Sequence, residues 1–301
     1  SLIKRLIEEQ KKSDTEEASV FFISGYMLEV QKRNISLRNQ ILDELKNDPY
    51  FKNHIAELIW RTELDEHTGD IIYELLKNDA VDFRQLSRFK LGAATKNISD
   101  ELFIKWIENL LSRNNVEAHA IAVDLFMSHF VFDKQKELPE KLTLQLLTMK
   151  TLGSQANRQI SNEIEWDWSQ IAKRFIEQYP ESVEPIIAFM TSYYGRKNSV
   201  FESHHESATI LSQLASLKPE FVWKAVATEI AKGSYGTYSL ESWLHGEVSF
   251  DTGVGHGAIQ LLDKKMVLDW IDEDPKARAN MVARMVPHDF GFDNEPGDHS
   301  W

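Results

Sequence analysis

The residues best spaced for chemistry are the glycines of Gly253-Val254-Gly255-His256-Gly257. Successive glycine amides approach an anion closely, and a helix opening near Ala258 would add its positive end. A nucleotide loop also closes on Gly-Lys-Ser/Thr, and a dinucleotide loop is fed by a strand. This run has neither, so it reads as turn chemistry. Histidines and carboxylates gather at Glu202-Ser203-His204-His205-Glu206 and at His245, Glu247, Asp251 and His256. A metal needs imidazoles converging from one helix face, typically four residues apart, and adjacent His204 and His205 point to different faces. Asp65-Glu66-His67 and Glu117-Ala118-His119 are isolated helix-surface candidates, and no His-Glu-x-x-His sequence occurs. No Gly-x-Ser-x-Gly elbow supports a hydrolase triad. Without cysteine there is no thiolate nucleophile, zinc thiolate or disulfide.

Trp166-Asp167-Trp168 sets aromatic surfaces around a carboxylate. Trp168 falls on the apolar stripe of its helix, and Trp166 is placed to cover the loop from Gly153 to Asn162, so packing is the expected role of both. Asp272-Glu273-Asp274 reads as the end of one helix and the cap of the next, because the twelve-residue calcium-loop pattern is missing. The residues therefore assign no catalytic, cofactor-binding or metal-ligating position and no cofactor. The chain is expected not to be an enzyme.

The elements around these residues have a helical period. Phe103, Trp106, Ile107, Leu110 and Leu111 recur at i, i+3, i+4, i+7 and i+8 behind Ser99-Asp100. The stripe returns at Ile41, Leu42 and Leu45, at Ile55, Leu58 and Ile59, at Ile71, Ile72, Leu75 and Leu76, at Ile164, Trp168, Ile171 and Phe175, and at Met266, Val267, Trp270 and Ile271. Only Tyr235 to Leu240 and Glu247 to Val254 alternate as strands do. The expected class is all-α.

Proline marks where helices restart: Pro49, Pro139, Pro180, Pro219 and Pro275. At the first helical position its missing amide hydrogen costs nothing and its φ is preset. Asp48, Asn115 and Asp274 have the chemistry of N-caps. Pro139 to Pro180 is 41 residues and Pro180 to Pro219 is 39, close to the ~40 to 47 of two-helix repeats. Pro219 to Pro275 is 56, and Pro185, Pro287 and Pro296 fall outside the pattern. Two short helices cannot bury both faces alone, so each pair must stack on the next. The expectation is an irregular α-solenoid of stacked antiparallel helix pairs, HEAT/armadillo-like, forming a single elongated domain over residues 1–301. Residues 233–257 hold six of the chain's 13 glycines and are expected to form a loop insertion anchored by Tyr235, Tyr238, Trp243 and Phe250.

With 42% apolar and 11% aromatic residues in 301, the chain can bury a core. No run approaches the ~18 apolar residues that span a bilayer, so no membrane partner is expected. The net charge is −13, divided as −4 over residues 1–150 and −9 over 151–301, which disfavours phosphate-backbone binding and hence nucleic acid. Lys11-Lys12, Lys32-Arg33 and Arg84 to Lys90 are local basic clusters, read as solvated helix faces. The lack of cysteine fits a cytoplasmic location. The opening Ser1-Leu2-Ile3-Lys4-Arg5, without Met or an apolar leader, leads to the expectation of a fragment of a longer protein.

Ser242-Trp243-Leu244, then Val267-Leu268-Asp269-Trp270-Ile271-Asp272-Glu273-Asp274-Pro275-Lys276-Ala277-Arg278-Ala279, then Val282-Ala283-Arg284-Met285-Val286-Pro287, resembles the helical-repeat region near the carboxyl end of large multidomain bacterial proteins. These include signal-transducing NTPases of the STAND class and defence-associated proteins. The resemblance covers about residues 240–301. It implies a sensor or scaffold role with catalysis elsewhere in the polypeptide, and helices continuing past Trp301. No Walker motif is present, so no ATPase activity carries over. The expected function is a non-catalytic module binding a protein partner, or other domains of the same polypeptide, on a helical surface. Two alternatives are a nucleic-acid-processing enzyme of the alkylbase-glycosylase sort and a small-molecule sensor using the 233–257 loop.

Overall fold

The computed structural model describes residues 2–12, 20–91, 94–201, 205–233, 237–245 and 257–285. Among them it is all-helical, without a strand. No described helix is long and apolar enough to cross a membrane. Contacts gather into two compact units, Ser1–Glu137 and Leu138–Trp301, where the proline spacing leads one to expect a single domain. The division falls after Asp133-Lys134-Gln135-Lys136-Glu137, a polar run with no buried residue to join to a core.

The first unit contains α1 (Leu2–Lys12), α2 (Phe21–Arg33), α3 (Ile35–Leu45), α4 (Ile55–Thr62), α5 (Glu66–Lys77), α6 (Asp100–Ser112) and α7 (Val116–Phe126). A 3₁₀ segment, Phe83–Lys90, precedes α6, and a π turn, Met127–Val131, prolongs α7. Helix α2 packs on α3 and α4, α4 on the 3₁₀ segment, and that segment on α7. In turn, α3 packs on α5, α5 on α6 and α6 on α7.

The stripe of α6 is buried as its period requires, with Phe103, Trp106, Ile107 and Leu110 all at 0% exposure. The indole Nε1 of Trp106 donates to the Gly69 carbonyl at 3.1 Å. Arg38 on α3 is wholly buried and ties that helix to the turn before α5: it donates to the Glu63 carbonyl at 3.2 Å and to Asn39, and pairs with the Asp65 carboxylate. Asp65 in turn caps α5, accepting the Thr68 amide at 3.0 Å.

The second unit contains α8 (Glu140–Leu147), α9 (Lys150–Ser154), α10 (Arg158–Gln178), α11 (Glu184–Tyr193), α12 (His205–Leu217), α13 (Pro219–Ala231), α14 (Thr237–His245), α15 (Lys264–Glu273) and α16 (Pro275–Ala283). Helix α10 packs on α8 and α12, α11 on α13, α12 on α13, and α13 on α14. Pro219 and Pro275 open α13 and α16 as expected, whereas Pro180 opens only a 3₁₀ turn and the out-of-pattern Pro185 lies in the first turn of α11.

The expected loop insertion over 233–257 is corrected where it is described. Thr237–His245 is the helix α14, which also replaces the extended reading of Tyr235 to Leu240 over its helical part. Leu240, Trp243 and Leu244, at i, i+3 and i+4, are buried, and this helical stripe outweighs the short alternation. Trp243 anchors the segment, donating to Ser212 Oγ at 3.1 Å, while Tyr238 is 79% exposed and anchors nothing. Tyr235, Phe250 and Glu247 to Val254 lie outside the described residues. Gly257 lies where a Cβ would come within 2.1 Å of the Leu244 carbonyl oxygen, so its backbone crosses the end of α14 as only glycine can.

Candidate functional site

The structure disperses most of the residues with suggestive chemistry. Glu66 accepts from Ser99 Oγ at 2.6 Å, and His67 faces Asp43 at 3.3 Å. Glu117 pairs with Arg84 at 3.2 Å. His119 is buried with Nε2 against the Leu111 carbonyl at 3.3 Å, and burial pulls its pKa below the usual range. Glu206 pairs with Lys173 at 3.1 Å. Glu202, Ser203, His204, Glu247, Asp251, Gly253, Gly255 and His256 lie outside the described residues. Among the described residues no three of His, Asp and Glu converge as a metal would need. Trp168 is buried, donating to the Leu147 carbonyl at 3.2 Å, and Trp166 is 48% exposed. The basic clusters find acidic partners: Lys11 with Asp48, Lys12 with Glu9, Lys32 with Glu29 and Lys90 with Asp124.

Two places do concentrate functional groups, one in each unit. In the second unit, α13 and α15 border an open groove of about 840 Å³. Asp263 caps α15 by accepting the Lys265 amide at 2.9 Å. Asp274 caps α16 by accepting the Ala277 amide at 3.2 Å, with Pro275 at its first turn. The tight turn between α15 and α16 brings Arg278 back over Trp270, 4.5 Å from the ring centroid. Its guanidinium donates to the Trp270 carbonyl at 2.8 Å and pairs with Glu273. Trp223 of α13 meets Trp270 edge to face at 5.5 Å. Lys224, Thr228 and Lys232 line the α13 side, and Asp263, Met266 and Asp269 the α15 side. The other flank of α13 borders a second groove, of about 330 Å³, with Ile187 and Ala188 of α11 opposite Phe221 and Ala225. Lys224 and Thr228 line both, so α13 is a ridge between two furrows.

In the first unit, His129 is held in the π turn, stacked on Phe103 with centroids 3.9 Å apart. Its Nδ1 meets Thr95 Oγ1 at 3.0 Å, and its Nε2 lies 2.9 Å from Asp100 Oδ1 and 2.7 Å from Lys136 Nζ. Lys136 also donates to Asp100 Oδ1 at 2.6 Å. Burial, reinforced by the Lys136 charge, outweighs Asp100 and holds the imidazole below its usual pKa range. Burial raises the Asp100 carboxyl, but hydrogen bonds from Lys136 and His129 outweigh it and hold the group below the carboxylate range. The adjacent Ser128 Oγ is buried with no hydrogen-bond partner among the described residues.

Neither place was visible as a motif. The groove's residues come from three helices. His129 is 29 residues from Asp100 and 34 from Thr95, and the one local signal is the unusual density of Phe126, His129, Phe130 and Phe132. No known family model, curated protein or solved structure matches this chain.

Proposed function

We propose that the chain is a non-catalytic interaction module whose α13 ridge and flanking furrows receive a segment of a protein partner. The observation that carries this reading is the groove between α13 and α15. It has an aromatic floor at Trp223 and Trp270 with charges of both signs on its walls, the mixture that gives protein interfaces an apolar anchor and a polar rim.

The helices of each unit are read as irregular solenoid-like stacks of pairs. Supporting this, the side-chain hydrogen bonds between elements join partners no more than 43 residues apart among the described residues, as expected where each pair touches its neighbours. In this reading the module serves as sensor or scaffold in a larger, cytoplasmic, bacterial protein, in line with the resemblance carried by the Trp270 to Pro275 block. The pairing of most basic clusters with acids favours a protein over a nucleic-acid partner.

The test compares wild type with Trp270→Ser and Lys224→Glu as bait in extracts of the source cell, quantified by mass spectrometry. The expected result is a protein enriched by wild type, reduced about tenfold or more by either variant and reconstituted from purified components. Equal recovery by all three baits would overturn the reading. A salt-sensitive gel shift on duplex DNA would favour the glycosylase-type alternative, and a melting-point shift with a nucleotide or metabolite the sensor alternative.

A further inference from the structure

The furrow between α13 and α15 is open because α15 lies along α16 and not along α13, which it meets through the Trp223 and Trp270 rings. The α13 lining falls into two stripes. Trp223, Ala227 and Ala231, at i, i+4 and i+8, form the floor, and Lys224, Thr228 and Lys232, each one residue on, form an exposed wall. On α15, Met266 and Trp270 share one stripe, with Asp269 and Glu273 on the neighbouring one. Beyond Trp223 the floor of α13 is alanine only, which leaves room for the side chains of another element. From Trp223 to Ala231 it runs about 12 Å, roughly two helical turns.

The lining decides the conformation of what can fill it. An extended segment would carry one N–H and one C=O per residue into the furrow, each needing a partner. The walls are helices whose backbone groups are already paired, no Asn or Gln is among the lining residues, and the Thr228 hydroxyl is spent on the Lys224 carbonyl at 2.6 Å. A helix arrives with its own backbone satisfied and presents side chains alone.

The charges decide its flanks. The α13 wall carries Lys224 and Lys232 against Glu220, and the α15 wall carries Asp263, Asp269 and Glu273 against Lys265, so the two walls have opposite sign. Lys232 is paired with Glu229, Glu273 is paired with Arg278, and Asp263 caps α15. Lys224 and Asp269 are exposed and in no ion pair among the described residues. As sequence neighbours of Trp223 and Trp270, they flank the aromatic contact from opposite walls.

Resting on the reading of this furrow as an interface, we propose that its occupant is an amphipathic α-helix of a protein partner. Apolar residues at i, i+3 or i+4 and i+7 lie on Trp223, Ala227 and Trp270. A carboxylate on one flank meets Lys224, and a basic residue on the other meets Asp269.

The experiment selects binders to the full chain from a displayed library of random peptides of about 16 residues, with counter-selection on Trp270→Ser. The expected consensus has apolar residues at helical spacing, Asp or Glu on one flank and Lys or Arg on the other. A synthetic consensus peptide is expected to gain helicity by circular dichroism on binding and to bind Trp270→Ser about tenfold or more weakly. Ala231→Trp fills the furrow from an exposed position, so it is expected to weaken the peptide likewise while the protein's own far-UV circular dichroism is unchanged. Selection on Lys224→Glu is expected to replace the acidic flank by a basic one. Peptides that alternate with period two, or carry proline within the anchor span, would overturn the helical occupant and leave the interface reading standing. A consensus whose flanking charges ignore Lys224→Glu would overturn it as well. No binder sensitive to both Trp270→Ser and Ala231→Trp would overturn the occupant and the interface together.

Discussion

Arg38 and Asp65 make an asymmetric pair whose two halves should fail differently. The guanidinium is fully buried, whereas the Asp65 side chain is 26% exposed and also accepts from the Thr68 amide and hydroxyl. In Asp65→Asn the cap survives, since Asn caps as well as Asp, but a buried cation is left with neutral acceptors only, at a cost of about 3 to 5 kcal/mol. In Arg38→Met the stem volume is kept and the remaining carboxylate reaches water and its cap, so the cost is about 2 kcal/mol, mainly the unpaired Glu63 carbonyl and Asn39 side chain. The double variant has no stranded cation, so its cost should be close to that of Arg38→Met alone, about 3 kcal/mol or more below the summed costs of the singles. Urea unfolding of all four proteins by far-UV circular dichroism measures this, and at roughly 4 °C per kcal/mol the melting points should separate as well. If Asp65→Asn cost under about 1 kcal/mol, or the singles added within about 0.5 kcal/mol, the pair would be no more than a surface ion pair and the argument from burial would fail.

Gly257→Ala should destabilise the second unit by about 2 kcal/mol or more, because its Cβ meets backbone oxygen that no rotamer change moves; a denaturation midpoint equal to wild type would contradict it. Asn115→Ala should cost about 1 kcal/mol, since its Oδ1 accepts the Glu117 and Ala118 amides at 2.8 and 3.1 Å, and Asn115→Asp should restore most of that in the same assay. The first unit should weaken in two stages as pH falls. His119 and His129 resist a proton that the unfolded chain takes up below about 6.5, so stability is lost as pH drops under that value. Asp48, Asp65 and Asp100 are held below the carboxylate range despite the opposing pull of burial, so their contribution is present above about pH 4 and lost as pH falls through their depressed values. Urea midpoints from pH 8 to 3 should fall in that order, and a midpoint constant between pH 7 and 5 would refute the histidine part.

The amino-acid sequence by itself determined where several helices begin, among them α7, α13 and α16, and which faces the strongly periodic ones bury. Asn115 and Asp274 cap as their chemistry dictates, and the stripe from Phe103 to Leu111 turns inward because its period matches 3.6. The reading of α14 went astray because a brief alternation and a high glycine content masked the Leu240, Trp243, Leu244 stripe; a window starting at Thr237 exposes it. What only the tertiary structure decided is which distant groups share a few ångströms. His119 and His129 look alike in sequence, ten residues apart in one helical run. One ends against a carbonyl and the other between a carboxylate and an ammonium, because packing of the π turn on α6 selects its neighbours. The groove of Trp223, Trp270 and Arg278 likewise has no local signature, since helix propensity acts over a few residues whereas the approach of α13 to α15 is set by side-chain shape across the stack.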